Sequence, residues 1–431
     1  MIQPIGRMAV FATLLAAGTW VGSLSGAEPP YAIPKPGEVT AIGVNKAKDV
    51  AAAVSTKPDA ISTALFGAFG GGTFVRDYSS RGAYVLTCLG GHAAPMQIAG
   101  AVLFDFEEAT WKGFENANGV PSAGGGTPYW AKNSNGDPWQ EWKGTEVPLP
   151  GHPYLIAAEL PASLGGGPKG SVVFIGRAAV KGDGGGGRGP HALNLATRKW
   201  SRLTSADHPR VAGIYSSVLF DEKTGRYYSI GGIEKRKDVP YYDAADWSKL
   251  HATAPQYGWP AFGGGSRAFL DPVRRLIIDF ADNRELHAFQ LDHPGEGWKV
   301  LKVVGELPIV AGPEPSRFVF YPPDGNFYFL PESKKDTVLH RLKPPTDEAL
   351  TKVWTADKVQ LNQPLPNHAP GPSYSFFFYV PSIQCLAWVA GADTPVYILK
   401  PPEASAPADP AKVPTTVPGG EKKQSTEGRT P

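Results

Sequence analysis

The chain has 431 residues, of which 42% are apolar, and Gly and Pro together make up about a fifth of it. This composition provides enough apolar surface for a large core and favours many short strands and turns over long helices. The formal net charge of +2 is spread without strong blocks. It argues against nucleic acid as a partner, because phosphate binding needs a concentrated basic face.

The N-terminus has the pattern of an export signal. Arg7 provides a positive charge, residues 8–22 form an apolar run, and Ser25-Gly26-Ala27 provides small residues for cleavage. The run is shorter than a membrane-spanning helix needs. We therefore predict a signal peptide over residues 1–27, a secreted or periplasmic mature protein, and no integral membrane span after signal removal. A membrane anchor that stays attached is the alternative interpretation.

Residues 65–400 contain a strand pattern that repeats, after a weakly patterned N-terminal segment at 28–64. Six apolar segments open with similar residues, and most are followed by a turn and a second apolar strand. The openings are 73–77, 154–157, 217–221, 267–271, 317–321 and 375–379. The second strands are 83–88, 171–175, 226–230, 275–280, 326–330 and 383–389. The third to fifth openings are about 50 residues apart, a period typical of repeat architectures.

The third of these units shows a complete four-stranded order. Two apolar strands flank a turn at Thr224-Gly225, a third strand contains Tyr241-Tyr242, and a fourth opens at Trp247. Short four-stranded units that repeat along a chain are the sequence pattern of a β-propeller, in which each unit forms one blade. The sequence therefore predicts an all-β fold.

Tryptophans recur in the closing strand of five units. They are Trp111, Trp200, Trp247, Trp298 and Trp354. Blades packed around a ring leave a wedge between neighbours, and a large ring fills that wedge where a small side chain would leave a void. We predict that these indoles are core residues and not a ligand site.

Two units carry a more specific motif. The first contains Gly90-Gly91, Asp105 and Trp111, and the third contains Gly231-Gly232, Tyr242-Asp243 and Trp247. This motif resembles the kelch repeat, which is the blade of kelch and galactose-oxidase-like propellers. The resemblance implies six or seven blades. We predict six blades, from the six openings; a seventh blade could lie in the 113–152 insertion. It also implies that a strand from the N-terminal segment completes the last blade.

Two aromatic-rich segments stand outside the repeat and are the predicted ligand site. Tyr129, Trp130, Trp139 and Trp142 lie in a Gly/Asn/Pro-rich insertion, and Tyr257 and Trp259 lie between two units. Loops on a rigid scaffold are where binding residues concentrate, and rings beside Asn, Asp and Gln suit the faces of sugars. The alternative interpretation is that these rings form a small core of their own.

We predict that the protein is a monomeric binding module for a polysaccharide or protein ligand. No catalytic residue, cofactor or metal ligand set is predicted, because the nine histidines form no zinc-type motif. The galactose-oxidase resemblance implies an alternative, a secreted carbohydrate-active or oxidising enzyme with copper held by His and Tyr. The ligand segments of that enzyme family have no recognisable counterpart in this sequence.

The chain has only two cysteines, Cys88 and Cys385. They fall in the first and last units, which become neighbours when a ring closes. In an oxidising compartment they are a candidate disulfide; two buried thiols are the alternative. Residues 401–431 are rich in Pro, Ser, Thr, Gly and Lys and lack aromatics, which predicts a disordered tail.

Overall fold

The computed structural model describes residues 28–54, 71–89, 96–119, 123–124, 146–148, 157–175, 189–204, 217–230, 238–253, 268–280, 285–306, 318–331, 336–366 and 376–403. The predicted signal peptide and the part of the predicted tail after residue 403 lie outside these ranges. Every helix in the described ranges is a short 3₁₀ helix, and none of them has the length and apolar character needed to cross a bilayer.

The described residues form 26 strands. In chain order they are β1 (Val39–Ile42), β2 (Gly72–Val75), β3 (Ala83–Leu89), β4 (Met96–Asp105), β5 (Thr110–Phe114), β6 (Ala123–Gly124), β7 (Ala157–Leu160), β8 (Ser171–Phe174), β9 (His191–Asn194), β10 (Lys199–Arg202), β11 (Ser217–Asp221), β12 (Arg226–Ile230), β13 (Pro240–Asp243), β14 (Asp246–Ala252), β15 (Phe269–Asp271), β16 (Leu276–Phe280), β17 (Leu286–Gln290), β18 (Trp298–Val300), β19 (Val303–Val304), β20 (Phe318–Tyr321), β21 (Asn326–Phe329), β22 (Val338–Lys343), β23 (Trp354–Gln360), β24 (Phe377–Val380), β25 (Cys385–Val389) and β26 (Val396–Leu399). The 3₁₀ helices are Ala47–Ala53, Arg76–Tyr78, Ala162–Leu164, Pro294–Glu296 and Pro381–Ile383.

These strands form six four-stranded antiparallel sheets; five contain four consecutive strands, and the sixth contains three consecutive strands and β1. The sheets are β2-β3-β4-β5, β7-β8-β9-β10, β11-β12-β13-β14, β15-β16-β17-β18, β20-β21-β22-β23, and β24-β25-β26 with β1; β6 adds to β4, and β19 adds to β23. The first strand of each sheet contacts the first strand of the next, and β24 contacts β2, so the inner strands close a ring. The prediction of a six-bladed, all-β propeller is confirmed.

The ring closes through both ends of the propeller. Strand β1 pairs with β26 in an antiparallel register that runs from Val39 opposite Leu399 to Ile42 opposite Val396. The sixth blade therefore takes three strands from the C-terminal part of the chain and its outer strand from the N-terminal segment.

The predicted strands fall close to the observed ones where both are described. Of the second predicted opening, 154–157, only Ala157 lies in the described residues, and β7 runs from Ala157 to Leu160. β7 pairs with β8 as far as Leu160, which lies opposite Ser171. Ala158 and Leu160 are buried in the core, and this burial fixes the register of the strand.

The recurring tryptophans occupy equivalent places on the outer strands. Trp111, Trp200, Trp298 and Trp354 are buried, and Trp247 is half-buried. Each packs in a cluster that joins its own blade to the preceding one; Trp111, for example, packs with Val380 and Ala387 of the sixth blade, and Trp354 with Leu276 and Ile278 of the fourth. The prediction that these indoles are core wedges is confirmed.

The hairpin between the first two strands of each blade ends on a residue with left-handed backbone. These residues are Gly82, Gly170, Gly225, Arg275, Gly325 and Gln384. A side chain is disfavoured by about 1–2 kcal/mol in this conformation, so glycine is expected here. Arg275 and Gln384 depart from this pattern, and Arg275 makes an ion pair that a glycine cannot make. Its guanidinium contacts the buried Asp221 carboxylate of the preceding blade and lies 3.2 Å from Asp292.

A second recurring contact covers the outer edge of a blade. The amide of Asn45 accepts from the backbone N–H of Trp111 (2.7 Å) and donates to its carbonyl (3.0 Å). Asn118 makes the same two contacts with Trp200, at 2.7 and 3.0 Å. In the fifth blade the Lys302 carbonyl accepts from the N–H of Trp354 at 2.8 Å. We call these contacts the edge clamps. In each, the chain leaving one blade occupies the outer edge of the next.

Candidate functional site

Because the strands of each blade are antiparallel, the connections between consecutive strands lie alternately on the two faces of the ring. Within a blade, the first and third connections are hairpins on one face, which we call the turn face. The second connection, and the connection to the next blade, lie on the opposite face, which we call the loop face. The turn-face hairpins between the first two strands are short, as in residues 222–225 between β11 and β12.

Both predicted ligand-binding segments are anchored on the loop face. The segment with Tyr129, Trp130, Trp139 and Trp142 leaves β5 after Phe114 and enters β7 at Ala157. The segment with Tyr257 and Trp259 leaves β14 after Ala252 and enters β15 at Phe269. These six residues themselves lie outside the described residues, so their role as a site stays a prediction.

The inner strands line an open cavity of about 390 Å³ on the ring axis. Its wall takes residues from all six blades, and they are mostly apolar. They include Gly72, Ala157, Leu219, Phe269, Val319 and Phe377. A volume of this size, with an apolar wall and few polar groups, is typical of small-molecule sites.

The charged side chains among the described lining residues lie at the turn-face end of the cavity. Arg76 and Glu222, which follow the last residues of β2 and β11, belong to its lining. The Arg76 guanidinium donates to Glu222 Oε1 at 2.7 Å and to Glu159 Oε2 at 2.8 Å, and the Arg76 backbone N–H donates to Glu159 Oε1 at 2.6 Å. Three blades therefore meet in one ionic cluster, formed by Arg76, Glu159 and Glu222.

Burial sets the electrostatics of this ionic cluster. It raises the pKa of Glu159, and the contacts from Arg76 oppose that rise. Burial also acts to lower the pKa of Arg76, but the Glu159 and Glu222 carboxylates more than offset it, so the pKa is raised overall. Arg76 is therefore a permanent cation between two acidic groups.

The histidines of the described residues do not assemble a metal site. His92, His152 and His368, which the sequence places in loops, lie outside the described ranges, and His191 is buried in β9. Within those ranges no group of three or more His, Cys, Asp or Glu side chains is arranged to hold a metal ion.

His287 in β17 is a buried imidazole whose ring nitrogens have no hydrogen-bond partner among the described residues. Its Nε2 lies 3.3 Å from Glu285 Oε2. Burial lowers the pKa of His287 and outweighs the opposing effect of Glu285. Because the pKa is lower in the folded than in the unfolded state, the unfolded state binds more protons as the pH falls through about 6.5, the ordinary pKa of an imidazole.

We expect His287→Leu to flatten the pH dependence of stability. The wild-type protein should lose free energy of unfolding between pH 7 and pH 5, and the variant should lose less over that range. Urea unfolding at several pH values measures this difference. At pH 8 both side chains are neutral, so the difference there reports packing alone. Parallel curves for the two proteins from pH 8 to pH 5 would contradict the prediction.

Cys385 is the first residue of β25, where its side chain is buried. The Sγ–H donates to the Ile383 carbonyl at 3.3 Å, and burial raises its pKa to about 12. Such a thiol is a weak nucleophile at neutral pH. The Cys88 side chain lies outside the described residues, so the disulfide stays a prediction.

Comparison with known proteins gives no family assignment. No protein-family model matches the chain, and no curated protein matches it. The chain is similar to the solved structure of the major Malassezia sympodialis allergen Mala s 1, with 14% identity over 75% of this chain and 91% of that one, and a TM-score of 0.38. It is also similar to a chain of the mitotic checkpoint complex, with 8% identity over 88% of this chain and 98% of that one, and a TM-score of 0.38. The fold assignment rests on the sheet order of this chain itself.

The ionic cluster was not predicted from the sequence. Arg76 is separated from Glu159 by 83 residues and from Glu222 by 146, and no local pattern marks any of the three. The nearest signal was Asp77 in the first opening, which does accept a backbone N–H from another blade, that of Ala162, at 2.6 Å.

Proposed function

We propose that the protein is an exported, kelch-type propeller that binds a carbohydrate ligand at its loop face. The propeller fold is in general suited to binding and interaction. One observation supports this site: the two segments rich in aromatic residues are both anchored on the loop face. The first 27 residues support export, and the motifs around Trp111 and Trp247 support the kelch type.

The ligand class follows from the composition of the two segments. Tryptophan and tyrosine rings cover the C–H faces of sugars, and the neighbouring Asn, Asp and Gln side chains offer hydrogen bonds to hydroxyls. The protein would bind such a ligand and leave it chemically unchanged.

We expect the double variant Trp130→Ala/Trp139→Ala to weaken glycan binding at least about tenfold, since buried indoles dominate many binding sites. A glycan array identifies the ligand, and calorimetry with that ligand measures the affinity. Thermal unfolding should change little. The matched control is Val273→Ala, which shortens an exposed side chain on the turn face and should not affect binding.

Three results would contradict the proposal. A loss of several kcal/mol in stability would show that the indoles are core residues. Binding only to a protein partner would replace the carbohydrate with a protein ligand. Chemical conversion of the glycan, together with stoichiometric copper in elemental analysis, would establish the oxidising enzyme instead.

A further inference from the structure

The axial cavity differs in chemistry from the loop-face site. Its lining is mostly apolar and includes Leu219, Phe269 and Val319, each of which is half-buried. At about 390 Å³ it exceeds twice the ~150 Å³ of a cavity that holds one benzene molecule. The cavity can therefore hold a ligand whose apolar body is longer than six carbons, provided that the polar end of that ligand pairs with the charged groups at the turn face.

The charged end favours a cation over an anion. Arg76 faces two carboxylates, those of Glu159 and Glu222, so the ionic cluster carries one more acidic than basic group. Only one Glu222 oxygen, Oε1, is hydrogen-bonded among the described residues, and this side chain is 66% exposed. The other oxygen is free to accept.

The neighbouring cations do not reverse this balance. Arg274 is paired with the buried Asp271 at 2.9 Å, and Arg275 is paired with Asp221 and Asp292. At this end of the cavity, among the described residues, an incoming carboxylate or phosphate would meet Glu222, while the guanidiniums of Arg76, Arg274 and Arg275 are already paired with carboxylates. A protonated amine would find an acceptor that is already oriented by Arg76.

We propose that the axial cavity binds small amphiphilic primary amines, with the alkyl or aryl body between the inner strands and the ammonium group on Glu222. This site is separate from the carbohydrate site at the loop face and does not depend on it. The apolar body supplies most of the affinity through burial, and the charge-assisted bond to Glu222 supplies the selectivity for amines.

The test uses n-alkylamines of four to ten carbons with the purified protein, and the matching n-alkanols and n-alkanoates, measured by calorimetry at low salt. Each added methylene should tighten amine binding about fourfold until the cavity is full. At equal length the amine should bind about tenfold more tightly than the alcohol, and the carboxylate more weakly than either.

Three variants separate the contributions. Glu222→Gln should remove the preference for amine over alcohol and keep alcohol binding, because the side chain is exposed and the wall is unchanged. Leu219→Trp should fill the cavity and abolish binding of both. Leu270→Ala removes part of the lining and so enlarges the cavity. The alkyl chain length that binds most tightly should then increase. The matched control is Asp347→Asn, an exposed acid on the same face that is paired with Lys352 at 2.6 Å; it should change nothing.

The proposal is overturned if amine affinity does not depend on chain length, if alkanoates bind as tightly as amines, or if Glu222→Gln leaves the preference intact. Glu222→Gln should fold, so a folding failure of Leu219→Trp does not remove the test. The Trp130→Ala/Trp139→Ala protein should bind amines like the wild type, which keeps failure here distinct from failure of the carbohydrate site.

Discussion

Replacing Arg275 with Met should lower the free energy of unfolding by about 3–5 kcal/mol. The change removes the guanidinium that neutralises Asp221, whose side chain is 2% exposed. The Asp221 carboxylate would keep its hydrogen bond from Thr224 Oγ1, but it would lose its countercharge in a site that water does not reach. An unpaired buried charge is among the most destabilising single changes in a folded protein. Urea unfolding of the variant and the wild type measures the loss.

The control for this prediction is Lys352→Met, which breaks the exposed pair with Asp347 and should leave the free energy of unfolding almost unchanged, because solvent screens such a pair. A second variant, Arg275→Met/Asp221→Leu, should recover most of the loss, because it leaves no charge buried. Equal losses for Arg275→Met and Lys352→Met would show that the pair between the third and fourth blades contributes little.

Removing residues 28–45 should abolish cooperative folding of the propeller. The deletion takes β1 from the sixth blade, exposes the edge of β26, and removes both Ile42 from the core and the clamp of Asn45 on Trp111. Domain stability is typically only 5–15 kcal/mol, and these losses all fall at the one seam where the ring closes. Thermal unfolding followed by near-UV circular dichroism should show no sharp transition.

Two matched proteins make this prediction sharp. Adding a peptide of residues 31–45 to the truncated chain should restore the transition. Moving residues 36–45 to follow Lys400 through a short turn should restore it within one chain, because Val39 pairs with Leu399 and the new connection is a hairpin. A truncated chain that unfolds as cooperatively as the wild type would show that β1 is dispensable.

The repeat was predictable because it has a local signature. An apolar strand, a turn residue with left-handed backbone and a second apolar strand recur with a period that the sequence displays directly. The outer-strand tryptophans recur for the same reason: in five of the six blades, a tryptophan on the outer strand fills the space against the preceding blade. The kelch-type motif itself stays a resemblance, carried mainly by the first and third units.

The contacts between blades were not predictable. Asn45 and Asn118 make identical hydrogen bonds, but they lie in connections of different sequence, so no pattern links them. Arg275 stands where the repeat favours glycine, and only its distance to Asp221 explains why. The ionic cluster of the axial cavity is similar, since Arg76 contacts acidic side chains from two other blades. Such interactions depend on which strands become neighbours, and a period along the chain does not encode that.

The edge clamps bear on how copies of this protein behave toward one another. An uncovered strand at the rim of a sheet is a template onto which a second chain can add, and such addition starts fibres and aggregates. Here Val44-Asn45, Ala117-Asn118 and Lys302-Val303 sit on the rims of the first, second and fifth blades. At those three places a segment of the same chain already occupies the edge of the sheet. A strand from a second copy therefore cannot pair with the backbone there.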